Sequence, residues 1–86
     1  MLEELISKSQ LLIQAKKYEQ ARLVLMLIIR DNPDCIEALN DLGVVEILEG
    51  KYQSGLELFN EVIKIDPGNE DALGNIEYVK NKMSTQ

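Results

Sequence analysis

Few side chains of this chain are suited to catalysis, and their types limit the chemistry available. The 86 residues contain 15 aspartates and glutamates, one cysteine and no histidine. The missing imidazole excludes acid–base catalysis by histidine, histidine-activated nucleophiles and histidine-containing metal sites within the chain. Cys35 has no second cysteine or histidine to activate it, so we interpret this thiol as structural or neutral. We therefore expect a protein that is not an enzyme.

The acidic loop DPGNED, from Asp66 to Asp71, is the best candidate for a metal site. A calcium loop needs oxygen ligands at alternate positions, then a glycine and a bidentate glutamate at its end, and this loop lacks that order. The five glycines are scattered along the chain, so no glycine-rich loop is present to hold a phosphate. We expect neither a metal nor a cofactor.

The charge balance indicates which partners suit the chain. Nine basic residues leave a formal net charge of −6, which disfavours nucleic acid and anionic membrane surfaces and favours cationic partners. The first ten residues, MLEELISKSQ, are acidic where a secretory signal would be basic. The longest apolar run, LVLMLII, has seven residues and is too short to span a membrane. We expect a cytoplasmic protein without membrane insertion.

The sequence repeats itself at a fixed period, so that the stretch 2–35 falls on the stretch 36–69. Identical residues coincide at several positions, among them Tyr18 with Tyr52 and Pro33 with Pro67. A third copy begins at Glu70 and ends after about half a period. A fixed period of 34 residues, the offset from residue 2 to residue 36, indicates a solenoid of small repeated units.

Each period predicts two helices. In the second copy Asp34 is the expected N-cap of the first helix, which should end at Gly50 in a left-handed cap. The second helix is predicted over Tyr52–Ile65, because the residue before Pro67 avoids helical geometry. The third copy predicts one helix, with Asn69 as its N-cap.

The expected organisation is therefore a single all-α domain of five antiparallel helices. It consists of a repeat at 2–35, a repeat at 36–69, a capping helix at 70–83 and a frayed tail at 84–86.

Several repeated residues resemble the tetratricopeptide repeat signature. In the second copy they are Leu39, Leu42-Gly43, Gly50, Tyr52, Phe59 and Asp66-Pro67. The resemblance covers nearly the whole chain and implies a right-handed α-solenoid of antiparallel helix pairs, with a small residue between the paired helices. The chain departs from that pattern where leucines replace a tryptophan, where Gly55 replaces an alanine and where Glu46 replaces an aromatic residue. Glu46 would then be a buried carboxylate in need of a partner.

In proteins of this family the first helix of each unit lines a concave channel that holds a peptide from another protein. Carrying those positions over predicts a groove lined by Glu3, Ile6, Gln10, Ile13, Glu37, Asn40, Asp41, Val44, Ile47, Leu48, Asp71, Asn75 and Tyr78. This groove would have an apolar floor and an acidic rim, which suits a ligand with aliphatic anchors and basic residues. The alternative is that the apolar residues close up between helices and the acids are a solvated face.

One subtype of the family holds the C-terminal carboxylates of heat-shock chaperones with a set of lysine, arginine and asparagine residues. The corresponding positions of this chain read Ile6, Gln10, Asp41, Asp71 and Asn75. A carboxylate at these positions would meet acids instead of cations, so we do not expect a chaperone of that class as partner.

The run LVLMLII lies in the second helix of the first repeat and divides into two faces. Val24, Leu25, Ile28 and Ile29 are expected to pack inside the repeat, while Leu23, Met26 and Leu27 lie on the opposite arc. We interpret the outer three as the contact of a homodimer. The alternative is that these exposed side chains are tolerated, or covered by a further part of a longer chain.

These observations predict an adaptor that binds a protein or peptide partner without doing chemistry. Two alternatives stay open: a self-association module, and a substrate-recruiting fragment of a larger protein with more repeats. Two full repeats are fewer than most solenoids need for stability, which is the reason for keeping both alternatives.

Overall fold

The computed structural model describes residues 1–85, and that stretch contains five α-helices and no strand. The helices are α1 (Leu2–Gln14), α2 (Tyr18–Asp31), α3 (Ile36–Leu48), α4 (Tyr52–Ile65) and α5 (Glu70–Ser84). The all-α prediction with five helices is confirmed for these residues, and α4 has the predicted bounds.

The turns between helices follow the local sequence. Gly50 has a φ of +81°, the left-handed conformation predicted for it, and Lys16 has a φ of +62° at the same position of the first repeat. Asn69 caps α5, since its side chain accepts a hydrogen bond from the Ala72 backbone N–H at 2.9 Å. Pro33 and Pro67 lie in the turns that follow α2 and α4.

The predicted N-cap at Asp34 is wrong. Helix α3 begins at Ile36 and its N-cap is Cys35, without a side-chain capping bond. The Cys35 N–H bonds to the Asn32 carbonyl at 3.0 Å, and this turn holds Asp34 one residue before the cap. Cys35 and Asn69 occupy equivalent places one repeat apart, so both repeats use the same capping position and only the second has a side chain that can accept the bond.

The C-terminal helix is longer than predicted. Residue Ser84, expected in a frayed tail, belongs to α5, and its hydroxyl donates to the Lys80 carbonyl at 2.9 Å. Thr85 is the C-cap residue, while Gln86 lies outside the described residues.

Helices adjacent in sequence pack against each other, and α3 also contacts both α1 and α5. Within residues 1–85, no Cα atom of α2 lies within 8 Å of a Cα atom of α4. The first helices of the units, α1, α3 and α5, therefore form one row, and α2 and α4 lie on the other side of it. The Cα atoms span 39 × 27 × 17 Å, and the smallest dimension corresponds to two layers of packed helices.

Two apolar clusters form the core. One contains Leu25 and Ile28 of α2 with Ala38 and Val45 of α3, and the other is centred on Phe59 of α4. Leu25 and Phe59 lie one repeat apart and are both fully buried, so the two units bury the same repeat position.

The run LVLMLII lies inside α2 and not in a strand. Its inner half is buried, with Leu25 and Ile28 in the core, as the helical periodicity predicts. Across residues 1–85 there is no helix whose length and hydrophobicity would suffice to cross a membrane.

Candidate protein-binding groove

A pocket opens between α3 and α5, with a volume of about 230 Å³. Its lining is mainly apolar and consists of Val44, Ile47, Leu48, Phe59, Asn75, Tyr78 and Val79. Five of these seven belong to the groove residues predicted from the sequence, namely Val44, Ile47, Leu48, Asn75 and Tyr78. The fold therefore brings together the α3 and α5 parts of the predicted groove.

Phe59 and Val79 complete this pocket and were not predicted to line it. Phe59 belongs to α4 and reaches the pocket across Gly43, where an added Cβ would lie 2.8 Å from Phe59 Cζ and closer still to Cε1. The missing side chain of Gly43 is thus what allows the ring to pass between the helices. The sequence signal for this arrangement is the pairing of a glycine in one helix with an aromatic residue in the next.

Two exposed side chains form the rim of the pocket. Leu48 is 52% exposed and Tyr78 is 51% exposed, whereas Val44 and Ile47 are half-buried. On the Tyr78 side, the Lys82 ammonium lies 5.6 Å from the centre of the tyrosine ring, within the range of a cation–π contact. This edge of the pocket therefore carries a positive charge.

The opposite edge of the pocket is acidic. Asp41 precedes Val44 by about one helical turn, and Asp71 precedes Asn75 by about one turn. Burial raises the pKa of Asp41; the hydrogen bond from Gln10 opposes this change, while the negative charges of Glu37 and Asp71 add to it. These carboxylates are therefore close enough to repel one another.

The acidic rim also follows the repeat. Glu3, Glu37 and Asp71 recur once per repeat and lie at the same position of α1, α3 and α5. The charges of Glu37 and Asp71 raise the pKa of Asp41. Glu3, Glu37 and Asp71 are all exposed. Among the ion pairs of residues 1–85, none includes Glu3, Glu37, Asp41 or Asp71. The row therefore presents negative charge that no basic side chain of the described chain neutralises.

The α1 part of the predicted groove is different. Gln10 is exposed and its amide nitrogen donates to an Asp41 carboxylate oxygen at 3.4 Å, which joins α1 to α3. Ile13 is half-buried against the first core cluster.

Two predicted groove residues are not available to a ligand. Ile6 is 9% exposed and belongs to the core cluster that contains Ala38 and Val45. Asn40 is 8% exposed, and its amide nitrogen donates to Asn69 Oδ1 at 3.2 Å. Asn40 therefore connects α3 to the start of α5 and does not face an open surface.

A second apolar surface lies on α2, away from the groove. Leu23, Met26 and Leu27 are 58%, 52% and 47% exposed and, with Arg30, line a shallow depression. We name these three residues the α2 face. The corresponding residues of α4 are Glu57, Asn60 and Glu61, so the two outer helices differ in this respect.

Nothing in the described part of the chain groups three or more metal-ligating side chains closely enough to hold a metal ion. No family model and no curated protein matches the chain.

Proposed function

We propose that this chain is a non-enzymatic interaction module of the tetratricopeptide type, a right-handed α-solenoid that acts in the cytoplasm. It binds a segment of another protein that carries apolar anchors and basic residues. The main observation in favour is the apolar pocket between α3 and α5, which lies beside the unneutralised acids Asp41 and Asp71.

The contact between the paired helices α3 and α4 supports the family resemblance. The signature has a small residue where the two helices of a unit meet, and Gly43 meets the Phe59 ring at that point. The same positions of the first unit are Ser9 and Leu25, which are also fully buried. The repeat is therefore one of packing as well as of sequence.

The rim of the pocket favours binding over the alternative of a closed, solvated face. Leu48 and Tyr78 leave about half of their surfaces in water, although the pocket beside them has room for further apolar groups. Covering a large apolar side chain is worth roughly 1.5 to 3 kcal/mol, so a ligand that covers both gains part of this from each. Exposed apolar groups clustered beside charged ones are characteristic of interaction sites.

The test is affinity capture from a cell lysate followed by mass spectrometry, with wild type compared to Val44→Glu and Leu48→Glu. The matched control is Leu11→Glu, since Leu11 is an apolar residue of α1 that is 65% exposed and lies outside the pocket. We expect the same proteins to be lost from both groove variants and kept by the control. Equal capture by the wild type and the three variants would show that the groove does not bind the captured proteins.

Self-association through the α2 face is the second candidate function. Its support is the clustered exposure of Leu23, Met26 and Leu27. A stable interface buries about 800 Å² on each partner, more than three side chains supply, so the expected product is a weak dimer. Light scattering over a range of concentrations should show a rise in mass that Leu23→Glu with Leu27→Glu abolishes. A wild-type mass that stays monomeric at all concentrations would exclude this function.

A further inference from the structure

The two contacts within the inner row of helices differ at corresponding positions. Between α1 and α3, Gln10 and Asp41 are joined by a hydrogen bond of 3.4 Å. The equivalent residues one repeat later are Val44 and Asn75, which line the open pocket between α3 and α5. Valine has no donor or acceptor in its side chain, so the polar bridge of the first contact is replaced by an apolar wall in the second.

We propose that this pocket is a single anchor site, which takes one large aliphatic or aromatic side chain of a basic protein segment while a lysine or arginine of that segment lies beside Asp41 and Asp71. This inference rests on the proposed function and adds the position, number and order of the contacts.

The size and lining of the pocket suit one anchor. A dry cavity of about 150 Å³ is large enough for benzene, so the volume of about 230 Å³ accommodates a side chain of six or seven carbon-sized atoms. Six of its seven lining residues are aliphatic or aromatic, and the seventh, Asn75, carries an amide. One amide among apolar walls is suited to fix the backbone of a bound segment by a hydrogen bond.

The charges around the pocket determine which side the basic residue takes. Asp41 and Asp71 lie about one helical turn before the lining residues Val44 and Asn75, and Lys82 lies beside Tyr78 at the other edge. A ligand cation is therefore attracted to the aspartates and repelled at Lys82. It also relieves the mutual repulsion of carboxylates that have no basic partner in the described chain.

The distance between the pocket and the aspartates sets the spacing between the anchor and the basic residue of the ligand. One turn of α3 corresponds to about 5.4 Å, close to the distance of about 6.6 Å between alternate residues of an extended segment. The anchor and the basic residue should therefore be two positions apart when the ligand is extended. The acidic row adds a preference for further basic residues on the same side, because Glu37 and Glu3 continue it.

The test uses a random peptide library displayed on phage and selected on the wild-type chain. We expect selected peptides to share an aliphatic or aromatic residue with lysine or arginine two positions away. Representative peptides are then synthesised with capped ends and titrated against Val44→Glu, Leu48→Glu and three further variants. The three further variants are Asp41→Asn, the double variant Val44→Gln with Asn75→Asp, and Glu57→Gln, which removes an exposed acid of α4 as the control.

The double variant places the Gln–Asp bridge of the α1–α3 contact into the α3–α5 contact. Glutamine and aspartate already occupy these repeat positions in the first contact, as Gln10 and Asp41. We expect it to weaken binding about 10- to 100-fold by removing the anchor site, although it adds a negative charge. Asp41→Asn should weaken binding about three- to tenfold, with the loss reduced in high salt. Glu57→Gln should leave affinity unchanged, and all three variants should keep the helical circular dichroism of the wild type.

The outcomes separate this inference from the proposed function. Peptides that lose affinity in Val44→Glu but carry no enriched basic residue, or that bind Asp41→Asn as well as wild type, would overturn the inference and leave the groove intact. Peptides that bind the double variant with unchanged affinity would overturn the single anchor site. Peptides indifferent to Val44→Glu and Leu48→Glu would contradict the proposed function itself.

Discussion

The Arg22 side chain of α2 donates a hydrogen bond from Nε to Glu46 Oε1 of α3 at 3.0 Å, and only 14% and 12% of the two side chains are exposed. Arg22 also pairs with Glu19 at 2.7 Å and contacts the Glu49 carboxylate. The buried carboxylate expected from the sequence therefore has a cation as its partner, on the neighbouring repeat.

The internal repeat supplies the substitutions that test this pair. The residue corresponding to Arg22 in the second repeat is Leu56, and the residue corresponding to Glu46 in the first repeat is Leu12. Glu46→Leu alone should lower the free energy of unfolding by about 2 to 4 kcal/mol, because it leaves Arg22 without its most buried partner. Arg22→Leu with Glu46→Leu should restore most of the loss, as replacement of a buried pair by apolar residues is often neutral. Urea unfolding measures both; additive losses in the double variant would contradict this account.

The approach of Gly43 to Phe59 predicts the sign of an alanine substitution. Gly43→Ala places a Cβ 2.8 Å from Phe59 Cζ, so the ring must shift, at a cost of about 1 to 3 kcal/mol that exceeds the gain in helix propensity of about 1. Gly74→Ala is the matched control, since Gly74 lies inside α5 with open space around it. We expect thermal unfolding at a lower temperature for the first variant and a higher one for the second. A stabilised Gly43→Ala would show that the contact is loose.

The two left-handed residues allow a paired prediction. Lys16 has a φ of +62°, where a side chain costs about 1 kcal/mol, and Gly50 has a φ of +81°, where glycine avoids this cost. Lys16→Gly should therefore raise the free energy of unfolding by about 0.5 to 1 kcal/mol, and Gly50→Ala should lower it by about 1. Chemical denaturation would refute this prediction if both substitutions changed stability in the same direction.

The carboxyl of Asp41 predicts a pH dependence of stability. Its pKa is raised in the folded chain, chiefly by burial, so the charged form is disfavoured by folding. Above the pKa that Asp41 has in the folded chain, the full penalty lowers the free energy of unfolding. The penalty disappears as the pH falls below the pKa of an aspartate in the unfolded chain, about 3.9. Asp41→Asn should therefore stabilise the chain at pH 7, and the gain should shrink on acidification.

The control for that experiment is Glu57→Gln, which removes one negative charge from the exposed surface of α4. Both variants reduce the net charge equally, so the difference between their pH profiles isolates the surroundings of Asp41. Profiles that coincide between pH 3 and 7 in urea unfolding would mean that Asp41 carries no specific penalty.

Local features of the fold were predictable because the signals are local. The bounds of α4, the left-handed Gly50 and the cap at Asn69 each depend on residues within one turn of the chain. The predicted cap at Asp34 is wrong because residue type alone does not fix the capping position within the repeat. Cys35 occupies the capping position shared with Asn69.

Features that depend on a second helix were harder to predict. The family resemblance places Ile6 and Asn40 in the groove, but only packing shows that α1, α3 and the start of α5 bury them. Phe59 reaches the pocket from α4, and Arg22 reaches Glu46 from the preceding repeat. A single sequence does not specify such contacts, because they depend on how the helices are oriented.

The most direct measurement for the groove is a nuclear magnetic resonance titration of the isotopically labelled chain with a segment of a captured protein. We expect the largest changes in the backbone shifts of Val44, Leu48, Asn75 and Tyr78, with Asp41 also affected. The same titration of Val44→Glu should show no saturable change. Shifts confined to Leu23, Met26 and Leu27 would contradict the groove and assign binding to the α2 face.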